Sequence, residues 1–130
     1  MAASRELVVV VLNLTNEELS LFPESPNLSH GKWMDDPGSR PPQEIRAGES
    51  GMWRCQAEHI GVQIEGSASY SIVGYDYNVR VTFTWKIYSV RPNEFNQSCA
   101  AEGFEIQVIG GGGRQPVVVY VFKPTEPVNS

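Results

Sequence analysis

The chain has 130 residues and a mass of 14.4 kDa, enough for one domain with its own hydrophobic core and too little for two. With 41% hydrophobic and 19% charged residues, 12 Gly and 9 Pro, its composition is typical of a turn-rich β protein and excludes a disordered chain. The net charge is −5 and no basic segment occurs along the chain, so neither nucleic acid nor polyanionic lipid headgroups are expected as partners.

The first segment differs from an export signal. Residues 1–18 hold one Arg and a short apolar run that ends at two glutamates, without the basic start, long apolar core and cleavage site of a signal peptide. We therefore expect synthesis in the cytoplasm and action outside the cell after release or unconventional secretion. The sequons at Asn13, Asn27 and Asn96 are then expected to stay unmodified.

The predicted first strand, residues 6–14, is apolar on both faces. Because successive side chains point to opposite sides of a sheet, Val8, Val10 and Leu12 form a second apolar face that needs a cover. Two explanations are open. Either a loop or the C-terminal tail of the chain covers this face, or the strand has a central position in the sheet. Otherwise the face is a partner or dimer interface, and a dimer interface would make the protein a homo-oligomer.

Shorter strands are predicted next along the chain, near residues 18–22, 30–34, 43–46 and 50–57. The proline-rich segment "DDPGSRPP" is expected to be a surface loop, since neither side of it alone could build a core. The sequence accordingly predicts a single domain over residues 1–130.

Two longer strands with strict alternation follow, at residues 60–72 and 78–88. The first would bury Ile60, Val62, Ile64, Ala68, Tyr70 and Ile72, and the second Val79, Val81, Phe83, Trp85 and Ile87. A glycine and Asp-Asn chemistry between them favour a hairpin turn, so we expect antiparallel pairing.

The last two predicted strands, residues 103–109 and 116–122, flank four glycines and are expected to form a second hairpin. No segment of useful length has helical periodicity. The fold class is therefore all-β, a single-domain antiparallel β-sandwich of about eight or nine strands, with a closed barrel as the alternative.

Few side chains of the chain are candidates for catalysis or metal binding. Cys55 and Cys99 are too few for a disulfide framework or, with His30 and His59 at irregular spacing, for a zinc site. Free thiols are expected, with one bridge as the alternative. Cys55 and His59 are close in sequence, but no nucleophile motif surrounds them. We therefore expect no enzymatic activity, no metal and no cofactor.

Aromatic side chains outside the core are better candidates for function. Trp33, Tyr75, Tyr77 and Tyr88 fall in predicted loops or at outward strand positions, where an amphipathic ring suits a membrane interface or a sugar face. Glu65 points outward and could accept a hydrogen bond from an ammonium or hydroxyl headgroup. The alternatives are ordinary packing for each ring and a solvated carboxylate for Glu65.

Six segments together resemble the aegerolysin family. In order they are "REL" with "NLTNEEL", "HGKW", "PPQEIRAGESGMW", "IEGSASYSI", "VTFTW" and "GFEIQVIGGGGRQPVVVYVF", spread over residues 4–123. The resemblance, to fungal aegerolysins and to the small component of bacterial two-component insecticidal toxins, implies a non-enzymatic β-sandwich that binds membrane sphingolipids. It also implies a larger membrane-attack-complex/perforin-like partner that inserts the pore.

The resemblance further implies site residues. Trp33, after the turn in "HGKW", would contact the headgroup or acyl chain, and Glu65 of the "EG" pair would accept a headgroup hydrogen bond. Tyr88 would replace a third aromatic, in a loop that departs from the family's pattern. The leading hypothesis is the lipid-binding targeting component of a pore-forming or insecticidal toxin. A carbohydrate- or protein-binding sandwich is the alternative.

Overall fold

Alternating apolar side chains build two facing β-sheets. The computed structural model describes residues 5–126, which form eleven strands and no helix, and hence no helix that could cross a membrane. The strands are β1 Glu6–Asn13, β2 Leu19–Leu21, β3 Asn27–His30, β4 Lys32–Trp33, β5 Glu44–Ile45, β6 Ser50–Gln56, β7 Ile64–Ile72, β8 Arg80–Ile87, β9 Glu94–Cys99, β10 Phe104–Gly110 and β11 Val117–Pro124.

The first sheet has the strand order β10-β11-β1-β6-β4. Its neighbours run antiparallel except β1 and β11, which pair in parallel with Val8 opposite Val117. The second sheet has the order β5-β2-β7-β8-β9, with β3 also paired to β7. The β7–β8 and β10–β11 hairpins confirm the two predicted pairings.

The inward faces of both sheets meet in one core. Trp53 and Trp85 are fully buried, and their ring centroids lie 5.7 Å apart. The hydroxyl of buried Tyr120 donates to the Thr84 carbonyl at 2.7 Å, which satisfies a polar group that would otherwise cost free energy inside the core. The predicted all-β sandwich is confirmed, with eleven strands in place of eight or nine.

The strand expected near residues 30–34 is divided at Gly31 into the end of β3 and β4, which belong to different sheets.

Two further strand predictions need correction. β9 was not expected, because it is an edge strand whose mostly exposed side chains carry no apolar alternation. The strand expected from residue 60 begins only at Ile64. Gly61 has φ +83° and the Val62 amide donates to the His59 carbonyl at 3.2 Å, so the chain turns there. Ile60 and Val62 are exposed, and the prediction that they are buried is wrong.

The second apolar face of β1 lies on the outside of the first sheet. Val8, Val10 and Leu12 are half-buried there, beside the exposed side chains of Met52 and Val117. The central position of β1 supplies lateral neighbours on both sides, so part of the predicted cover comes from the sheet itself. The role of this face in a partner or dimer contact stays a prediction.

Candidate functional site

Because the strands run from one end of the sandwich to the other, the loops that join them lie at two opposite ends. The open end, as we name it, consists of loops 57–63, 88–93 and 110–116 with the start of β1. The closed end consists of loops 14–18, 46–49 and 73–79. The nine residues of β7 run between the two ends, a separation of about 30 Å at the usual rise per strand residue.

Glu65 lies at the open end, between the side chains of His30 and Lys86. β3 places His30 opposite Glu65 and β8 places Lys86 opposite it. His30 Nδ1 is 3.2 Å from one carboxylate oxygen and Lys86 Nζ is 3.4 Å from the other. The carboxylate implied as a headgroup acceptor is therefore already engaged inside the protein.

Trp33 is held against the core at the same end. Gly31 has φ +106° and turns the chain from β3 into β4, as expected for the "HGKW" segment. The half-buried Trp33 ring then meets Trp85 edge-on, with centroids 6.4 Å apart. A Cβ at Gly66 would lie 2.7 Å from the Trp85 ring, so the glycine of the "EG" pair is required by packing.

Tyr88 lines an open-end cavity of about 550 Å³ together with His30, Val62, Val90 and Arg91. The guanidinium carbon of Arg91 lies 4.1 Å from the centroid of the Tyr88 ring, a cation–π distance. The Tyr88 hydroxyl donates to a Glu94 carboxylate oxygen at 3.1 Å. One face of the ring and its hydroxyl are therefore used within the protein.

Tyr75 and Tyr77 lie at the closed end. Their rings pack edge-on against Phe104 and Phe22, with centroids 5.8 and 4.8 Å apart. Because the length of β7 separates them from Glu65, the five predicted lipid-binding residues do not form one site. The structure brings Trp33, Glu65 and Tyr88 to one end and the other two tyrosines to the opposite end, and a lipid contact by any of the five stays a prediction.

Exposed apolar side chains project from the open end. Val90 is 92% exposed, Ile60 61% and Val62 37%. Sequence reasoning placed Ile60 and Val62 in the core and did not single out Val90. The glycine at position 61, inside an otherwise alternating run, was the available signal that the strand does not extend through this segment.

Three arginines surround neighbouring cavities at the open end. Arg5, Arg91 and Arg114 line a cavity of about 210 Å³, and the first two also line one of about 430 Å³ beside the glycine loop. The absence of a basic segment along the chain therefore did not exclude a basic surface, because the fold gathers side chains from three distant positions. The net charge of the chain therefore gives no ground for excluding polyanionic lipid headgroups as partners.

Arg5 is fixed by backbone carbonyls. Its Nε donates to the Arg114 carbonyl at 3.2 Å, Nη2 donates to the Gly113 carbonyl at 3.0 Å, and Nη1 donates to the Tyr88 carbonyl. Asn93 Nδ2 also donates to the Gly113 carbonyl, at 3.0 Å. These bonds hold two loops of the open end against the start of β1, so the Arg5 guanidinium is pre-organised.

Cys55 and His59 do not form a reactive pair. Cys55 is fully buried in the core, whereas His59 lies on an exposed loop. Burial raises the pKa of the Cys55 thiol to about 12 and also raises that of Cys99, so both thiols are protonated at neutral pH. Both cysteines are free, as expected. Within residues 5–126, no three metal-ligating side chains converge.

Comparisons with known proteins identify the fold. No protein-family model and no curated protein matches the sequence. Nakanori, described as a lipid binding protein, superposes with a TM-score of 0.77 at 11% identity, over 94% of this chain and 72% of its own. RahU, in complex with a TRIS molecule, superposes with a TM-score of 0.67 at 16% identity, over 97% of this chain and 99% of its own. The chain therefore has an aegerolysin-like fold.

Proposed function

We propose that the protein binds membrane lipids through its open end. The observation that carries this proposal is the juxtaposition there of solvent-exposed aliphatic side chains with a cluster of arginines. Aliphatic groups gain free energy on entering the acyl boundary, while arginines remain at headgroup level and bind phosphate. The fold shared with Nakanori, described as a lipid binding protein, supports the same function.

We further propose that the protein is the targeting component of a two-component pore-forming or insecticidal toxin that acts on sphingolipid-containing membranes. The support is the resemblance in sequence together with the aegerolysin-like fold. A larger perforin-like partner then inserts the pore, and the apolar outer face around Val10 is its proposed contact or a dimer contact. Dye release from vesicles that requires both proteins, and is lost in Val10→Lys, would test this.

Co-sedimentation with vesicles tests lipid binding directly. Val90→Asp places a charge at the most exposed aliphatic position of the open end and should lower vesicle affinity about tenfold. Val73→Asp is the matched control, because Val73 is 47% exposed at the closed end and should bind as the wild type does.

Equal binding by the two variants would overturn docking through the open end. If the wild type stays in the supernatant with every vesicle, lipid binding itself is overturned. Saturable binding to a soluble sugar in that case would favour the carbohydrate-binding alternative.

A further inference from the structure

The cations of this chain are unevenly paired. Of its ten Lys and Arg side chains, five form ion pairs with carboxylates of the described residues: Arg46, Arg54, Arg80, Lys86 and Lys123. Of the other five, Arg5, Arg91 and Arg114 converge on the same cavity. In a protein with a net charge of −5, this concentration of unneutralised positive charge needs an explanation.

The environment of the three arginines suits an anion. Among the described residues no carboxylate lines any of the three open-end cavities. The guanidinium groups repel one another, and an anion among them relieves that repulsion. Three of the five N–H donors of Arg5 bond to backbone carbonyls, which leaves two that can bond to a ligand. Guanidinium donors match phosphate oxygens in pairs.

The two predicted groups that could recognise a choline or ammonium headgroup are engaged within the protein, Glu65 through both carboxylate oxygens and Tyr88 through one ring face. A quaternary ammonium ion needs an aromatic face or a carboxylate. Here Lys86 and His30 hold the Glu65 carboxylate, and Arg91 lies over the Tyr88 ring. These two groups therefore offer less to the cation of a headgroup than the arginines offer to its phosphate.

We infer that Arg5, Arg91 and Arg114 form a phosphate subsite that selects lipid headgroups of net negative charge over zwitterionic ones. This inference rests on the proposed lipid binding and names its ligand class. The protein's net negative charge does not oppose it, because charges beyond about 8 Å are largely screened at physiological ionic strength. With Val90 in the acyl boundary, the arginines come to headgroup level.

Vesicle composition tests the inference. Phosphatidylcholine vesicles are compared with vesicles containing equal mole fractions of sphingomyelin or of phosphatidic acid, each over a series of NaCl concentrations. Phosphatidic acid should bind best, and its binding should weaken as salt rises. Arg91→Gln/Arg114→Gln, two exposed positions, should lower affinity for these vesicles about 30-fold and flatten the salt dependence.

The matched control is Arg40→Gln/Arg46→Gln, which removes the same charge from two exposed cations, one in the loop before β5 and one in the closed-end loop 46–49, and should leave affinity within about twofold. Arg5 is not substituted, since its bonds fix the loops. Wild-type preference for sphingomyelin vesicles without salt dependence, or equal losses in both double variants, would overturn the phosphate subsite while leaving lipid binding intact.

Binding of soluble glycerol phosphate, followed by NMR, separates the two proposals. If vesicles are not bound but glycerol phosphate shifts the Arg91 and Arg114 signals, and the double variant abolishes the shift, the subsite stands and its ligand is a soluble phosphate. If neither glycerol phosphate nor any vesicle binds, both proposals fail.

Discussion

The closed and open ends of the sandwich differ in how their polar side chains are paired. At the closed end, the buried side chain of Asn13 donates to the carbonyls of Glu17, Ile45 and Arg46 at 2.8 to 3.2 Å and accepts from Thr15. These bonds tie the end of β1 to loops of both sheets.

At the open end, three arginines lack carboxylate partners among the described residues, and Val90 projects into solvent. Asn13 therefore serves the fold at the closed end, whereas Arg91, Arg114 and Val90 at the open end form surface for which the fold itself has no use. Substitutions at the first should change stability, and substitutions at the second should change binding.

The largest effect is expected at the closed end. Asn13→Ala removes the donor to three carbonyls, of which that of Ile45 is buried, and the acceptor for the Thr15 amide and hydroxyl, so the free energy of unfolding should fall by about 3 kcal/mol. Urea denaturation measures this change. Asn96→Ala, at an exposed sequon asparagine, is the control and should change stability by less than about 0.5 kcal/mol. Similar losses in both variants would contradict the stabilising role of Asn13.

The tyrosines at the two ends should differ in binding. Tyr88→Ala removes the ring beneath Arg91 and frees that side chain, so affinity for vesicles should fall about fivefold. Tyr77→Ala should bind as the wild type does, because its ring packs on Phe22 at the closed end. Co-sedimentation well below the unfolding temperature measures both. A loss confined to Tyr77→Ala would reverse the assignment of the two ends.

The smallest effect concerns Glu65. Glu65→Gln releases Lys86 beside the arginine cluster, so binding to anionic vesicles should strengthen by about twofold, whereas a headgroup-acceptor role predicts a loss. Glu105→Gln is the matched control, since its carboxylate pairs with Lys123 at 3.8 Å away from the open end. Weaker binding in Glu65→Gln alone would restore Glu65 as a ligand for the headgroup.

Much of the fold could be predicted from the sequence, since local alternation identifies strands with one buried face. β8 and most of β7 were found in this way, whereas β1, β10 and β11 were found as apolar runs. β9 was missed because an edge strand that is exposed on both faces has no such pattern. The parallel pairing of β1 with β11 was also missed, since local periodicity carries no information about which distant strand lies alongside.

The candidate site was harder to predict. Trp33, Glu65 and Tyr88 were selected as single residues, but the contacts that determine their chemistry come from strand register. The pairing of Glu65 with Lys86 depends on the β7–β8 register, and Arg5 reaches the arginine cluster because β1 starts beside the loop that precedes β11. A sum of charges along the chain cannot show such a cluster.

The position of β1 has a consequence for synthesis on the ribosome. β1 lies between β6 and β11, and the Glu6 amide bonds to the Gln115 side chain, 109 residues further along. In the nascent chain, one edge of this valine-rich strand can pair with β6 early. The other edge stays unpaired until β11 has been synthesised. Until then the second edge of β1 resembles the unpaired strand edges that promote aggregation. Chaperones that shield extended apolar segments should therefore raise the yield of soluble protein, and premature termination before β11 should lower it.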